Sequence, residues 1–181
     1  MDIKNIIEVL IHSSTSPVSS KDITYALNNN KVIDISKIIT KINREYEKSG
    51  KGYRIEKISG GYQLLSIPDY HHYIERLQQK TRKPRFSKAA IETLSIVAYK
   101  QPLTRAEVEH IRGVDSSGVM KNLLEKGLIS IKGRDQGFGR ALLYITAPIF
   151  LELFGLDTIN DLPTLQELTQ LINEENDATP N

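Results

Sequence analysis

Between Ser87 and Leu128 three short apolar periodicities come in succession, each with a stop signal after it, and that spacing points to a helix-turn-helix. Ala90, Ile91, Leu94, Val97 and Ala98 recur at helical spacing and predict one buried stripe. Gln101-Pro102 ends that helix, because a proline ring disfavours helical geometry in the residue before it. Thr104-Arg105-Ala106-Glu107 then reads as a capping box, in which the threonine oxygen and the glutamate each satisfy an amide at the helix start. Val108 and Ile111 turn this second helix inward, and Gly113 stands where a left-handed cap ends it. Asp115 is placed to cap a third helix with Val119, Leu123 and Leu124 on its buried face, and Gly127 stops it.

The residues after Gly127 separate a plain helix-turn-helix from a winged one. Leu128–Ile131 and Ala141–Thr146 read as two short apolar strands, and the glycine-rich stretch Gly133–Arg140 between them turns a hairpin at low steric cost. The first half repeats the plan with little identity. Ile3, Ile6, Ile7 and Leu10 mark a first helix; Ser19 or Ser20 caps a second that buries Ile23, Ala26 and Leu27. Asp34 or Ser36 starts a longer third helix carrying Ile35, Ile38, Ile39, Ile42 and Tyr46. Tyr53–Ile58 alternates as a half-buried strand does, and Gly60-Gly61 is a two-residue hairpin signal before Tyr62–Ser66. The expected fold is mainly α with small β-hairpins, in two tandem winged-helix domains.

The division expected is 1–67 for the first winged helix, 68–86 for a connecting helix and basic linker, 87–156 for the second winged helix, and 157–181 for a terminal helix and an acidic tail. The terminal helix begins near Pro163 and carries Leu165, Leu168, Leu171 and Ile172; the tail from Asn173 is polar enough to stay disordered.

Composition narrows the chemistry. There is no cysteine among the 181 residues, so disulfide and thiol chemistry are excluded. No apolar run approaches the roughly 20 residues a bilayer requires, and the N-terminus lacks the pattern of a secretory signal. His12, His71, His72 and His110 do not have metal-ligand spacing, and Gly133–Gly139 lacks the phosphate-loop pattern. No catalytic residue, cofactor or metal is therefore expected.

The remaining choice is between reading DNA and binding protein. A net charge of +2 does not by itself announce a nucleic-acid partner. The start of the second unit's third helix offers Asp115, Ser116, Ser117 and Gly118, a poor set for base edges. In the first unit Lys37, Lys41 and Arg44 are interleaved with Glu45 and Glu47, which nearly cancel them. Basic residues do gather as Lys80, Arg82, Lys83, Arg85 and Lys88 around the linker, and as Arg134 and Arg140 at the wing. They form either a solvated hinge or a weak, salt-sensitive contact with DNA backbone. Tyr99 and Arg105 flank a helix junction and are residue types favoured at binding hot spots, although Tyr99 is equally suited to complete a core.

The segments AIETLSIVAYKQPLTRAEVEHIRGVDSSGV, LLEKGLI, GRDQGFGRALLY and FLELFGL resemble the ScpB family, the segregation and condensation protein B of bacteria. The resemblance is dense from about Lys88 to Leu156 and weaker, in the same order, across the first half. Two departures touch the wing: Ala141 stands where the family usually has proline, and Thr146-Ala147 where it usually has a threonine pair. The resemblance implies a non-catalytic subunit that binds the kleisin ScpA and through it joins the SMC ATPase, in the cytoplasm and on the nucleoid. It also implies a homodimer formed through the first unit, for which Ile6, Leu10, Ile39 and Tyr46 are the candidates. Carried over position by position, the kleisin surface would comprise Tyr99, Gln101, Thr104, Arg105, Glu107 and Arg112. The alternative is a winged-helix transcription regulator, which its non-basic recognition helices disfavour.

Overall fold

The computed structural model describes residues 2–28, 33–78, 86–137, 139–164, 166–167 and 170. The first unit runs α1 (Ile3–Ser13), β1 (Val18–Ser19), α2 (Ser20–Ala26), α3 (Ile35–Lys48), β2 (Tyr53–Ile58) and β3 (Gly61–Ser66). A 3₁₀ turn at Pro68–Tyr70 leads into α4 (His71–Gln78). The second unit repeats the order with α5 (Lys88–Lys100), β4 (Leu103–Thr104), α6 (Arg105–Arg112), α7 (Ser117–Glu125), β5 (Ile129–Arg134) and β6 (Leu142–Thr146), and α8 (Pro148–Phe154) comes next. Each unit is three helices closed by a three-stranded antiparallel sheet, ordered β1-β3-β2 and β4-β6-β5. This is the winged-helix arrangement, twice.

Side chains start five of the helices, Ser19, Asp34 and Thr104 among those expected. Asp2, Ser19, Asp34 and Ser87 accept from the amides of Lys4, Asp22, Lys37 and Ala90. Thr104 and Glu107 form the full capping box, and Gly113 closes α6 at φ 71°. Ser116, not Asp115, is the N-cap of α7; the Asp115 carboxylate accepts from the Ser117 amide and hydroxyl one position further on.

The short strands β1 and β4 leave no mark on the sequence pattern, because two residues carry no periodicity. They share one construction: Pro17-Val18-Ser19 and Pro102-Leu103-Thr104 each put an apolar residue in the sheet beside a hydroxyl residue that caps the next helix. The first hairpin also differs by one residue from expectation. Ile58 pairs with Gly61, so the loop is Ser59-Gly60 and not Gly60-Gly61. Both loop residues have positive φ, 51° and 73°, which is the type I′ geometry that matches strand twist. Gly61 is required for a different reason, since a Cβ there would stand 2.9 Å from the Pro17 carbonyl carbon.

Two separate cores result. Ile7, Ile11, Ile23, Ile35, Ile39, Ile42, Tyr46, Ile55 and Tyr62 form the first; Leu94, Val97, Leu103, Val108, Met120, Leu123, Leu128, Ile129, Tyr144 and Phe150 are central to the second. Four residues expected inside lie outside. Ile91 sits on the edge of the α5 stripe in its first turn, and Ala26 ends the short α2, exposed. Ile3, at the start of α1, is exposed as well. Ile111 is displaced because α6 buries only Val108, and the next inward place on that face is taken by Arg112. The units meet at the first hairpin, where the Ser59 amide donates to Leu156 O at 2.9 Å and the Gly60 amide to Asp157 Oδ1 at 2.9 Å. Lys80, Arg82, Lys83 and Arg85, the apolar stripe at Leu165, Leu168, Leu171 and Ile172, and the tail from 173 lie outside the described residues.

Candidate partner-binding surface

The six positions expected to meet a partner separate into two groups. Four have their polar atoms engaged in capping or joining the helices, Glu107 among them although its side chain stays exposed. Gln101 accepts from the Thr146 amide at 2.8 Å and donates to Ala98 O, tying the end of α5 to β6. Thr104 and Glu107 hold each other in the capping box, with the Thr104 amide 2.6 Å from Glu107 Oε2. Arg112 is only 7% exposed at its side chain; its guanidinium donates to Ser116 Oγ at 2.8 Å and to Glu92 at 3.1 Å. Such a cation needs both partners, the buried Ser116 and the exposed Glu92, because unpaired charge away from water is costly.

Tyr99 and Arg105 present side chains to solvent, as Glu107 also does. Tyr99 is 42% exposed on the last turn of α5, and its hydroxyl donates to Pro163 O at 2.8 Å. Arg105, at the start of α6, pairs loosely with Glu109 at 3.4 Å and keeps more than half of its side chain exposed. The short β4 separates them, so the α5–α6 junction carries an aromatic ring on one side and a guanidinium on the other. Exposed apolar residues lie at the other ends of these helices: Ile91 near the start of α5, Ile111 near the end of α6 and Val114 in the turn after it. The Arg112–Glu92 pair holds the first turns of α5 beside the end of α6, and these three residues flank it in sequence. The signal for Ile111 was available, since a helix of eight residues has room for few inward positions.

The four dimerisation candidates also divide. Ile39 and Tyr46 lie inside the first core, and the Tyr46 hydroxyl donates to Glu8 Oε1 at 2.8 Å. Burial first, and then this bond to a carboxylate, push the Tyr46 phenol above its ordinary pKa. Ile6 and Leu10 are half-buried on the outer edge of α1, beside the exposed Val9. At the wing, Arg134 donates to Arg140 O at 3.1 Å and both residues are exposed. Among the described residues no group of three His, Asp or Glu side chains is arranged to hold a metal ion, and no helix is long and apolar enough to cross a membrane.

Two copies of three helices and a wing, joined through one hairpin turn, make this a tandem winged-helix protein. A family model described as the segregation and condensation complex subunit ScpB matches residues 5–165, and the chain belongs to that family. The segregation and condensation protein B of Syntrophotalea carbinolica is 40% identical over 174 residues, 96% of this chain and 87% of that protein. Its counterpart in Clostridium tetani is 42% identical over 171 residues, 94% and 90% of the two. A crystal structure of ScpB from Mycobacterium tuberculosis, 30% identical, covers 86% of this chain and 98% of its own, with a TM-score of 0.40. The family is that of a complex subunit; no catalytic role is indicated for it.

Proposed function

We propose that this chain is a non-catalytic subunit of an SMC–ScpA–ScpB complex, binding the kleisin ScpA as a homodimer and so supporting chromosome condensation and segregation in the cytoplasm, on the nucleoid. The observation that carries the reading is the α5–α6 junction, where Tyr99 and Arg105 set an exposed aromatic ring and an exposed guanidinium on either side of β4. An aromatic ring and a guanidinium set on rigid helices suit a partner segment that folds or straightens against them. Gln101, Thr104, Glu107 and Arg112 act behind them as the frame that fixes both helices. ATP hydrolysis belongs to the SMC subunit in this reading. The dimer forms through the first unit, with Ile6 and Leu10 on the outer edge of α1 and Val9 beside them. The dimer then offers two kleisin surfaces, and tethering raises the effective concentration at the second.

Light scattering of the purified chain with and without ScpA from its own organism tests both parts. A dimer that takes up ScpA into one larger species supports the proposal, and Arg105→Ala and Tyr99→Ala then weaken uptake without dissociating the dimer. A monomer that ignores ScpA refutes it.

A further inference from the structure

The sequence suggests that the charges of the first unit's third helix cancel; the fold separates them. At roughly 100° per residue, Lys37, Lys41, Arg44 and Lys48 fall within a stripe about 60° wide, and that stripe lies opposite the buried Ile35, Ile39, Ile42 and Tyr46. All four cations are exposed. Over 11 residues the ridge is about 16 Å long at 1.5 Å per residue.

The acids on α3 flank this ridge. Glu45 stands four residues after Lys41, where an intrahelical pair is ordinarily made. It turns instead toward α1, and its Oε2 lies 2.6 Å from Lys4 Nζ. Asp34, at the N-cap, lies 3.2 Å from Lys37 Nζ and neutralises only the first cation. Among the described residues no ion pair joins Lys41, Arg44 or Lys48 to an acid. On the other flank an open groove of about 780 Å³ brings Arg44, Lys51 and Arg54 together with Tyr53 and Tyr70. Glu47, Glu56 and Asp69 also line it, and Glu56 pairs with Arg54.

We infer that the outward ridge of α3 is a second interaction surface, which binds the phosphate backbone of duplex DNA without reading its sequence. A helix with its charges on a ridge that projects from the core has the dimensions the major groove of about 12 Å admits. Three lysines and one arginine give the ridge charge for phosphate oxygens, and only Arg44 adds a planar fork of the kind that reads guanine. Asn43, the one side chain on this helix suited to recognise adenine, is engaged at both ends by the Ile55 backbone, donating at 2.8 Å and accepting at 2.8 Å. This surface lies on the first unit, apart from Tyr99 and Arg105, and the inference stands whether or not ScpA binds there.

Fluorescence anisotropy of the full chain with two labelled duplexes of unrelated sequence tests it across a range of salt concentrations. The expected result is equal affinity for both duplexes, with a slope of log K against log salt near −3, about −0.9 for each phosphate neutralised. Lys41→Gln/Arg44→Gln/Lys48→Gln should flatten that slope by about 2 to 3 units and weaken binding at least about tenfold at low salt. Glutamine keeps helix propensity close to lysine and arginine, and Lys41→Gln alone should flatten the slope by about 1. Glu47→Gln should tighten binding. Overturning results are an unchanged slope in the triple variant, binding lost in Arg134→Gln/Arg140→Gln instead, strong preference for one duplex, or equal binding to polyglutamate.

Discussion

The carboxylate of Asp157 lies 2.7 Å from the ammonium of Lys57, a residue 100 positions earlier, and this pair joins the hairpin of the first winged helix to the chain just after α8. The Gly60 amide donates to the other oxygen of the same carboxylate, so one side chain accepts from both the hairpin strand and its turn. Asp157→Ala should therefore loosen the two units relative to each other while leaving each folded. Small-angle scattering should show a larger radius of gyration, and the melting temperature should move little, since an ion pair whose lysine stays more than half exposed adds little to stability. Identical scattering in variant and parent would mean the units are held by something else.

That contact has a defined pH window. The hydrogen bond from Lys57 holds the Asp157 carboxyl below its ordinary range, and the same bond raises the Lys57 ammonium. A carboxyl with a lowered pKa contributes above its unfolded value of about 3.9 and loses that contribution as pH falls through the folded one. A lysine with a raised pKa contributes fully below about 10.4 and loses it as pH rises further. The radius of gyration should stay constant from about pH 5 to 9 and grow only outside those limits. A change near pH 6.5 would implicate a histidine in place of this pair.

Gln101→Ala should destabilise the second unit and not simply weaken a partner contact. Removing the side chain leaves the half-buried Thr146 amide without its acceptor, a loss of about 1–3 kcal/mol. Thermal unfolding monitored by circular dichroism reads this directly. Unchanged melting together with lost ScpA uptake would return Gln101 to the binding surface.

The difference between Gln101 and Tyr99 shows where the sequence stops informing. Periodicity, capping residues and glycine stops are local, and they locate the helices, both wings and most core positions. Whether an exposed-looking glutamine meets a backbone amide 45 residues away depends on tertiary contact, which no local pattern encodes. Arg112 is the sharper case: a terminal arginine on a short helix reads as solvated, yet Glu92 and Ser116 draw it inward and Ile111 is left outside. The same limit applies to charge. Counting Glu45 against Lys41 on one helix misses that Lys4 of another helix takes it away. The two-residue strands are hidden for a simpler reason, since a single apolar residue beside a cap has no period to detect.

Leu123→Ala and Ile91→Ala should differ sharply although both are apolar helix positions. Leu123 is wholly buried in α7, and truncation removes its packing and leaves a cavity, at a cost of about 2–5 kcal/mol. Ile91 is 53% exposed and makes a smaller contribution, within about 1 kcal/mol. Urea unfolding of the two variants measures the gap, and a comparable loss at both would place Ile91 in the core after all.

The hairpin at Ser59-Gly60 allows an improvement as well as a defect. Both residues occupy the left-handed region, which costs a serine more than an asparagine and an alanine more than a glycine. Asn-Gly is the pair preferred in a type I′ loop, so Ser59→Asn should raise stability by a few tenths of a kcal/mol, up to about 1. Gly60→Ala should lower it by about 1 kcal/mol, although a Cβ there meets no atom within 4 Å. The opposed signs isolate backbone geometry from packing. Because the Ser59 and Gly60 amides donate to Leu156 and Asp157, the alanine variant should also loosen the junction between the units. Melting curves and scattering on the same samples would separate the two effects. A lowered melting temperature with an unchanged radius of gyration would confine the strain to the turn. A lowered melting temperature with a larger radius would show that the turn sets the angle at which the second winged helix is held.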